Sequence, residues 1–269
     1  MGADRSSTAG AGGVTVTSIA YAPVKGLGLE QVDEVELEPT GVRDNRRFHL
    51  IDDDGRLING KFAGTLVQVA ATSDRDGTSL ALRFPDGSEL DGPVVLGEHV
   101  ETNFYGRPVA GRIVGGDFGN ALSELAERSL RLVRVDEPGD GSDRGVDGTV
   151  SVLSRGSLEE LAREAGEERV DGRRFRMLFE VDGIEPHGED GWAGRRVAIG
   201  DAVVRIHGLV GRCAVTTQNP DTGVPDLATL RVIRQYRSHV ETDEPLPLGV
   251  WGGVESPGVV RVGDAVEPL

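Results

Sequence analysis

The chain has 269 residues and a formal net charge of −16, with a pI near 4.7. A surface this acidic repels nucleic-acid backbones and anionic membranes, and no basic stripe offsets it, so neither is expected as a partner. No stretch approaches the roughly 20 continuous apolar residues that a membrane helix needs. The start, Met1 to Gly13, is small and polar and lacks the apolar centre of a secretory signal, so a disordered tail and a cytoplasmic location are expected.

Strand patterns begin at Val14. Thr15-Val-Thr-Ser-Ile, Val32-Asp-Glu-Val-Glu-Leu, Val67-Gln-Val-Ala and Leu80-Ala-Leu-Arg-Phe are short apolar or β-branched runs. Turn signals separate them: Asp74-Arg-Asp-Gly, Pro85-Asp-Gly and Asp91-Gly-Pro. Asn120 to Arg128 is rich in helix formers, with Leu122 and Leu125 on one face. Asp136 to Gly148 is rich in Asp and Gly, and Val146 is its only branched apolar residue. It reads as an exposed linker between a half at 14–135 and a half at 149–269. A helix is expected within Ser154 to Ala165, with Ser157 as N-cap and Glu160 closing a capping box. Leu158, Leu161, Ala162 and Ala165 then share a face. Val197-Ala-Ile and Ala202-Val-Val-Arg-Ile read as strands, and short strands at this spacing argue for barrels or sandwiches.

Lys25 and Lys61 are the only lysines, so arginine supplies nearly all the positive charge. A GC-rich genome and adaptation to salt both fit this composition; stability that rises with added salt would point to the second. Cys213 is the single cysteine. It excludes an intrachain disulfide, a cysteine-based zinc cluster and an iron–sulfur cluster held by this chain's cysteines alone. A buried inert thiol, a nucleophile and a lone metal ligand remain. His49, His99, His187, His207 and His239 show no His-x-x-x-His spacing, which argues against zinc. His207 lies just upstream of Cys213 on an expected strand, within reach of its pocket, though a structural hydrogen-bonding role is the better expectation for it. Neither a full Gly-x-x-x-x-Gly-Lys-Ser/Thr motif nor a Gly-x-Ser-x-Gly motif occurs, which argues against a nucleotide-binding loop and a serine hydrolase.

The informative stretch is Gly211-Arg-Cys-Ala-Val-Thr-Thr-Gln-Asn-Pro-Asp-Thr-Gly. It resembles the Arg-Cys-x-x-Thr-Thr-x-x-Pro-Asp-Thr-Gly signature of MOSC domains, named for the C-terminal region of molybdenum cofactor sulfurase. Other pieces follow in the family's order. Tyr21-Ala-Pro-Val-Lys-Gly and Asp44-Asn-Arg-Arg-Phe resemble segments of its N-terminal barrel. Val152-Leu-Ser-Arg-Gly-Ser-Leu, Arg173-Arg-Phe-Arg, Gly200-Asp and Pro257-Gly-Val-Val-Arg-Val-Gly-Asp resemble segments of the MOSC domain proper. The resemblance implies a β-rich α+β fold, in which a MOSC-type β-barrel domain packs with an N-terminal β-barrel domain and few helices. The cofactor cleft lies between them, as in the amidoxime-reducing members and their bacterial relatives.

The resemblance also implies a cofactor, molybdenum–molybdopterin, with Cys213 as catalytic residue and metal ligand. A thiolate suits such a metal, and the neighbouring Arg212 favours the thiolate. Lys25, Gly26, Arg46, Arg176, Gly211, Arg212 and Trp251 fall on cofactor-contacting positions. Ser154 and Arg155 precede a helix, where backbone N–H groups can hold an anion. The implied activity is reduction of N-oxygenated (N-hydroxylated) or S-oxygenated small molecules, with electrons from a separate redox donor protein of ferredoxin or cytochrome type. A cofactor carrier, a sulfur-transfer protein using Cys213, and a diverged scaffold for another small molecule are the alternatives. The sequence departs from the family pattern at Ala22, Asn45, Met177 and Leu178, which puts the pterin and substrate geometry in question.

Overall fold

The computed structural model describes residues 13–269, so the expected tail, apart from Gly13, lies outside the described residues. Strands dominate. An eight-stranded sheet runs Val266–Pro268, Arg196–Ile199, Ala202–Gly211, Pro247–Ser256, Val150–Ser154, Phe179–Asp182, Thr15–Tyr21, Glu30–Val32 in spatial order. Its one parallel pair joins Val150–Ser154 to Phe179–Asp182. A parallel connection needs a crossover of a dozen or more residues, and helix α2 (Arg155–Ala165) supplies it. A five-stranded sheet runs Leu57–Ile58, Phe48–Ile51, Arg131–Val135, Arg107–Val114, Leu96–Phe104. A three-stranded meander, Ala70–Ser73 to Glu89–Pro93, stands beside it.

Burial follows the strand period of two. In Ser79–Arg83, Leu80 and Leu82 point inward while Ser79 and Arg83 are exposed. One core lies on the large sheet around Ile19, Phe179, Val204 and Val250. Another fills the first half around Phe48, Leu66 and Leu122. Fully burying each such side chain stabilises the fold by roughly 1.5–3 kcal/mol. The long strands carry both cores to the edges of one cleft.

The expected helix at Asn120 is present as α1 (Phe118–Ala126), packing Phe118 and Leu122 inward, and precedes α2 in the chain. α2 starts earlier than expected. Ser154, not Ser157, is its N-cap: Ser154 has extended backbone, and its Oγ accepts the Ser157 N–H at 3.1 Å. Glu160 closes no capping box and pairs with Arg163 instead. The expected strand at Val67 is a 3₁₀ turn over Gly64–Gln68, anchored by the buried Leu66, and a strand begins only at Ala70. The run Val32 to Leu37 breaks at Asp33 into strands that join different sheets. Helix α3 (Thr229–Arg237) was not expected; it buries Thr229, Val232, Ile233 and Arg237 at helical spacing.

The first strands do not stay with residues 38–135. Thr15–Tyr21 pairs with Phe179–Asp182, and Glu34–Leu37 pairs with Gly258–Arg261. Nor is Asp136 to Gly148 an exposed linker: Gly139, Gly141, Ser142, Gly145 and Gly148 are buried. Its glycines are there for close approach. A Cβ at Gly141 would sit 1.8 Å from the Arg46 carbonyl oxygen, so only glycine lets this segment lie against Arg46. Among the described residues, no helix is long and apolar enough to cross a membrane.

Candidate cofactor site

Cys213 follows the long strand Ala202–Gly211 and caps a 3₁₀ turn, Ala214–Thr217, with an extended backbone. The Cys-x-x-Thr-Thr spacing has a direct physical meaning here. Thr216 N–H and Oγ1 donate to the Cys213 carbonyl at 3.1 and 2.9 Å, and Thr217 Oγ1 donates to the Ala214 carbonyl at 2.7 Å. Hydroxyls three residues on hold the turn, which leaves the Cys213 thiol exposed. The thiol faces a 170 Å³ cleft whose walls come from both halves of the chain.

The expected cations Lys25, Arg46 and Arg176 all line this cleft, together with Gly26, Gly211, Arg212 and Trp251. Lys25 is buried, donates to the Gly141 carbonyl at 3.2 Å and forms an ion pair with Asp143. Burial pushes its ammonium down to about 8, against the opposing pull of Asp143. Burial also works against ionisation of Asp143, yet Lys25 and Arg46 hold that carboxyl down at about 2. Arg46 and Arg176 both have left-handed backbone, with φ of 53° and 54°. Such strain in non-glycine residues clusters at functional sites. Arg46 Nη2 reaches the Arg176 carbonyl at 3.5 Å, and Arg176 Nη2 donates to the Leu27 carbonyl at 2.7 Å. Among the described residues, neither guanidinium forms an ion pair, although Asp143 acts on both from a distance. Burial and the neighbouring Arg46 both disfavour the Arg176 charge. An anion in the cleft would relieve that penalty.

Other residues act on the cleft through its walls. The Arg212 guanidinium is taken up by the Leu248 and Phe175 carbonyls, the Met177 sulfur and the Phe175 ring face. It fixes the Cys213 segment and offers no free fork to a ligand. Gly211 N–H donates to Glu244 at 2.8 Å; Glu244 pairs with Arg144, and Arg144 stacks on Trp251 at 4.8 Å. His207 packs against Trp251, with ring centroids 5.4 Å apart, and does not line the cleft.

Ser154 and Arg155 lie elsewhere. Ser154 is fully buried, its hydroxyl and N–H committed to the α2 cap and to the buried Glu189. Arg155 is exposed beside Asp182 and lines a separate 1040 Å³ groove against α2, which does not include Cys213. The departures from the family pattern are also resolved. Asn45 Oδ1 accepts the Ala22 N–H at 3.3 Å, and the Ala22 carbonyl accepts the Arg46 N–H at 2.7 Å. The Ala22–Asn45 contact thus sets the Arg46 backbone, not its guanidinium. Met177 underlies Arg212, and Leu178 is core.

Sequence reasoning missed Asp143, Arg144, Arg174 and Tyr105, all of which line the cleft. Tyr105 sits at a hairpin tip with φ of 54°, and the Tyr105-Gly dipeptide between two β-rich runs was its available signal.

Residues 116–267 match the MOSC domain, and residues 13–127 match the MOSC N-terminal beta barrel domain. The chain belongs to the MOSC family. It is 27% identical to mitochondrial amidoxime-reducing component 1 of Mus musculus, over 94% of this chain and 81% of that protein. It is 28% identical to mitochondrial amidoxime reducing component 2 of Bos taurus, over 94% of this chain and 82% of that protein. It is 27% identical to molybdenum cofactor sulfurase of Caenorhabditis briggsae, over 83% of this chain but only 32% of that protein. A crystal structure of the YUAD protein from Bacillus subtilis superposes with a TM-score of 0.44 at 14% identity, over 95% of this chain and 94% of that one. Within this MOSC architecture, the N-terminal barrel domain brings Lys25, Arg46 and Tyr105 to the cleft, and the MOSC domain brings Arg176, Cys213 and Trp251.

Proposed function

We propose that this chain binds a molybdenum–pterin cofactor through Cys213 and reduces N-oxygenated or S-oxygenated small molecules. The observation that carries the reading is one cleft lined by an exposed thiol and by Arg46 and Arg176, two cations that form no ion pair among the described residues. The donor set fits the group. A soft thiolate suits the metal, and guanidinium forks with an ammonium suit a phosphate-bearing pterin. Among the described residues, no group of three or more His, Cys, Asp or Glu is placed to hold a metal alone, so the remaining ligands would come from the cofactor. When bound, the cofactor supplies the metal centre for a two-electron removal of oxygen from the substrate.

The chain's own residues do the rest. Cys213 offers Sγ as ligand from a turn held rigid by Thr216. Arg46, Arg176 and Lys25 bind and orient the anionic part, and the Trp251–Arg144 stack walls the cleft. The electrons would come from a separate donor protein. The place of action is proposed as the cytoplasm, which cell fractionation would check. The test is expression in a host that makes the molybdenum cofactor, with metal measured by mass spectrometry and released pterin by fluorescence. Near one of each per chain, with turnover of an N-hydroxylated substrate under a chemical reductant, supports the reading; neither metal nor pterin overturns it. The exposed thiol also favours a second reading, sulfur transfer, in which the outer sulfur of a cysteine desulfurase's persulfide passes to the Cys213 thiolate and leaves the donor's thiol; it predicts a one-sulfur mass gain after incubation with that enzyme and cysteine, and no reductase turnover.

Lys25 gives a pH prediction. Its ammonium titrates near 8 in the folded chain and near 10.5 when unfolded. The unfolded state therefore binds more protons between those values, and stability rises with pH across that window. Anion binding changes the other way, because a neutral Lys25 gives up its charge. Pterin retention through desalting is expected to fall as pH rises past about 8. A bound anion shifts that fall upward. In Lys25→Arg the fall should disappear, and an unchanged profile there would remove Lys25 from the role.

A further inference from the structure

Beyond Arg176 lies a second cavity of 350 Å³, which shares Val67, Arg174, Arg176, Val215 and Gln218 with the Cys213 cleft. That volume lies within the range of about 300–1,000 Å³ typical of small-ligand sites. Its charge is lopsided for a chain of net charge −16: Arg83, Arg173, Arg174 and Arg176 line it against the single carboxylate of Asp221. Arg173 already grips Asp221 at 2.8 Å, and Asp171 as well. Arg83 and Arg176 are less occupied. Arg83 ends the strand Ser79–Arg83 and has no ion pair or side-chain hydrogen bond among the described residues. Arg174, 8% exposed, is held by Asp226 at 3.0 Å and by the Gln218 and Thr216 carbonyls, while its buried Nε–H has no hydrogen-bond partner. Arg176 gives one donor to Leu27 and keeps the rest. Leu29, Ala70 and Pro220 add apolar surface.

We propose that this annex binds an organic phosphate with a flat or apolar body, of nucleoside monophosphate size. Guanidinium forks at Arg83 and Arg176 hold the phosphate, and the apolar wall covers the body. The phosphate can be an extension carried by the cofactor or a separate small molecule. The annex does not include Cys213, so the proposal stands or falls apart from the metal assignment.

The test uses metal-free protein titrated with guanosine monophosphate and inorganic phosphate by calorimetry. Wild type is expected to bind the nucleotide, and Arg83→Glu to weaken it at least ten-fold. Arg83 is exposed, so that variant should keep the wild-type melting temperature. Ala70→Phe, which fills the annex without removing charge, is expected to weaken binding as well. No nucleotide binding by wild type, or equal binding by both variants, overturns the proposal. Loss in Arg46→Ala but not in Arg83→Glu would put the nucleotide in the Cys213 cleft and also overturns it. Cofactor-loaded protein separates the sources. A cofactor extension predicts that the loaded protein excludes the nucleotide and releases a nucleoside monophosphate on hydrolysis. A separate ligand predicts that the loaded protein still binds the nucleotide, through Arg83 and with Arg176 shared with the cofactor, and releases none on hydrolysis. The metal assay fails independently, through Cys213.

Discussion

Cys213→Ser is expected to purify as folded protein with at least ten-fold less molybdenum and with reductase activity at background. The loss follows from chemistry. A serine hydroxyl is a hard, protonated donor at neutral pH and does not replace a thiolate toward a soft metal. The fold should barely notice. Cys213 is exposed, and it serves its turn through its carbonyl, which accepts from Thr216 N–H and Oγ1. A surface substitution that keeps those bonds changes stability by no more than about 0.5 kcal/mol. Metal content and the melting curve should be read on the same preparation. Full metal and activity in Cys213→Ser would end the assignment of Cys213 as ligand. A wild type that holds a sulfur adduct at Cys213 but no metal would move the reading to sulfur transfer.

The parts of the site that were legible in the sequence are local. The Cys-x-x-Thr-Thr run is a hydrogen-bonding unit closed over three residues, so its spacing survives as a string. Lys25, Arg46 and Arg176 could be named only through their family segments, because what unites them is non-local. Lys25 meets Gly141 across 116 positions, and Arg176 meets Leu27 across 149. The Asp136 to Gly148 segment misled for a physical reason: Asp and Gly composition signals solvent, but here glycine permits backbone contact and Asp143 neutralises Lys25. Helix α3 was hidden because Thr229, Val232, Ile233 and Tyr236 favour strands. Only tertiary packing of its buried face overrides that preference. Ser154 was named as a ligand candidate through its place before a helix, yet the same place makes it a cap. The buried Glu189 that takes up its hydroxyl lies 35 positions away, beyond any local pattern.

Gly223→Ala is expected to lower stability by about 2–4 kcal/mol, from a positive-φ cost of about 1 kcal/mol or more and a backbone clash of about 1–3 kcal/mol. Gly223 has φ of +74°, and a Cβ there would stand 2.0 Å from the Gly64 carbonyl oxygen. Gly64 is backbone of the other half, so no flexible side chain can yield. Gln68 Nε2 also donates to the Thr222 carbonyl at 3.2 Å, and Gln218 Nε2 donates to the Gly60 carbonyl at 2.7 Å. The Asp221-Thr-Gly turn is therefore a clasp that holds the two halves beside the cleft. Relief of the clash must push the turn away from Gly64, so cofactor content should fall together with the melting temperature. For a chain of this size, at about 2 °C per kcal/mol, the stability loss corresponds to a drop of roughly 4–8 °C. Gly87→Ala separates the two contributions: Gly87 also has positive φ, +86°, but a Cβ there meets nothing within 4 Å. That variant should show the conformational cost alone and keep its cofactor. If both variants melt alike, Gly223 is a turn glycine like any other and the clasp does not exist.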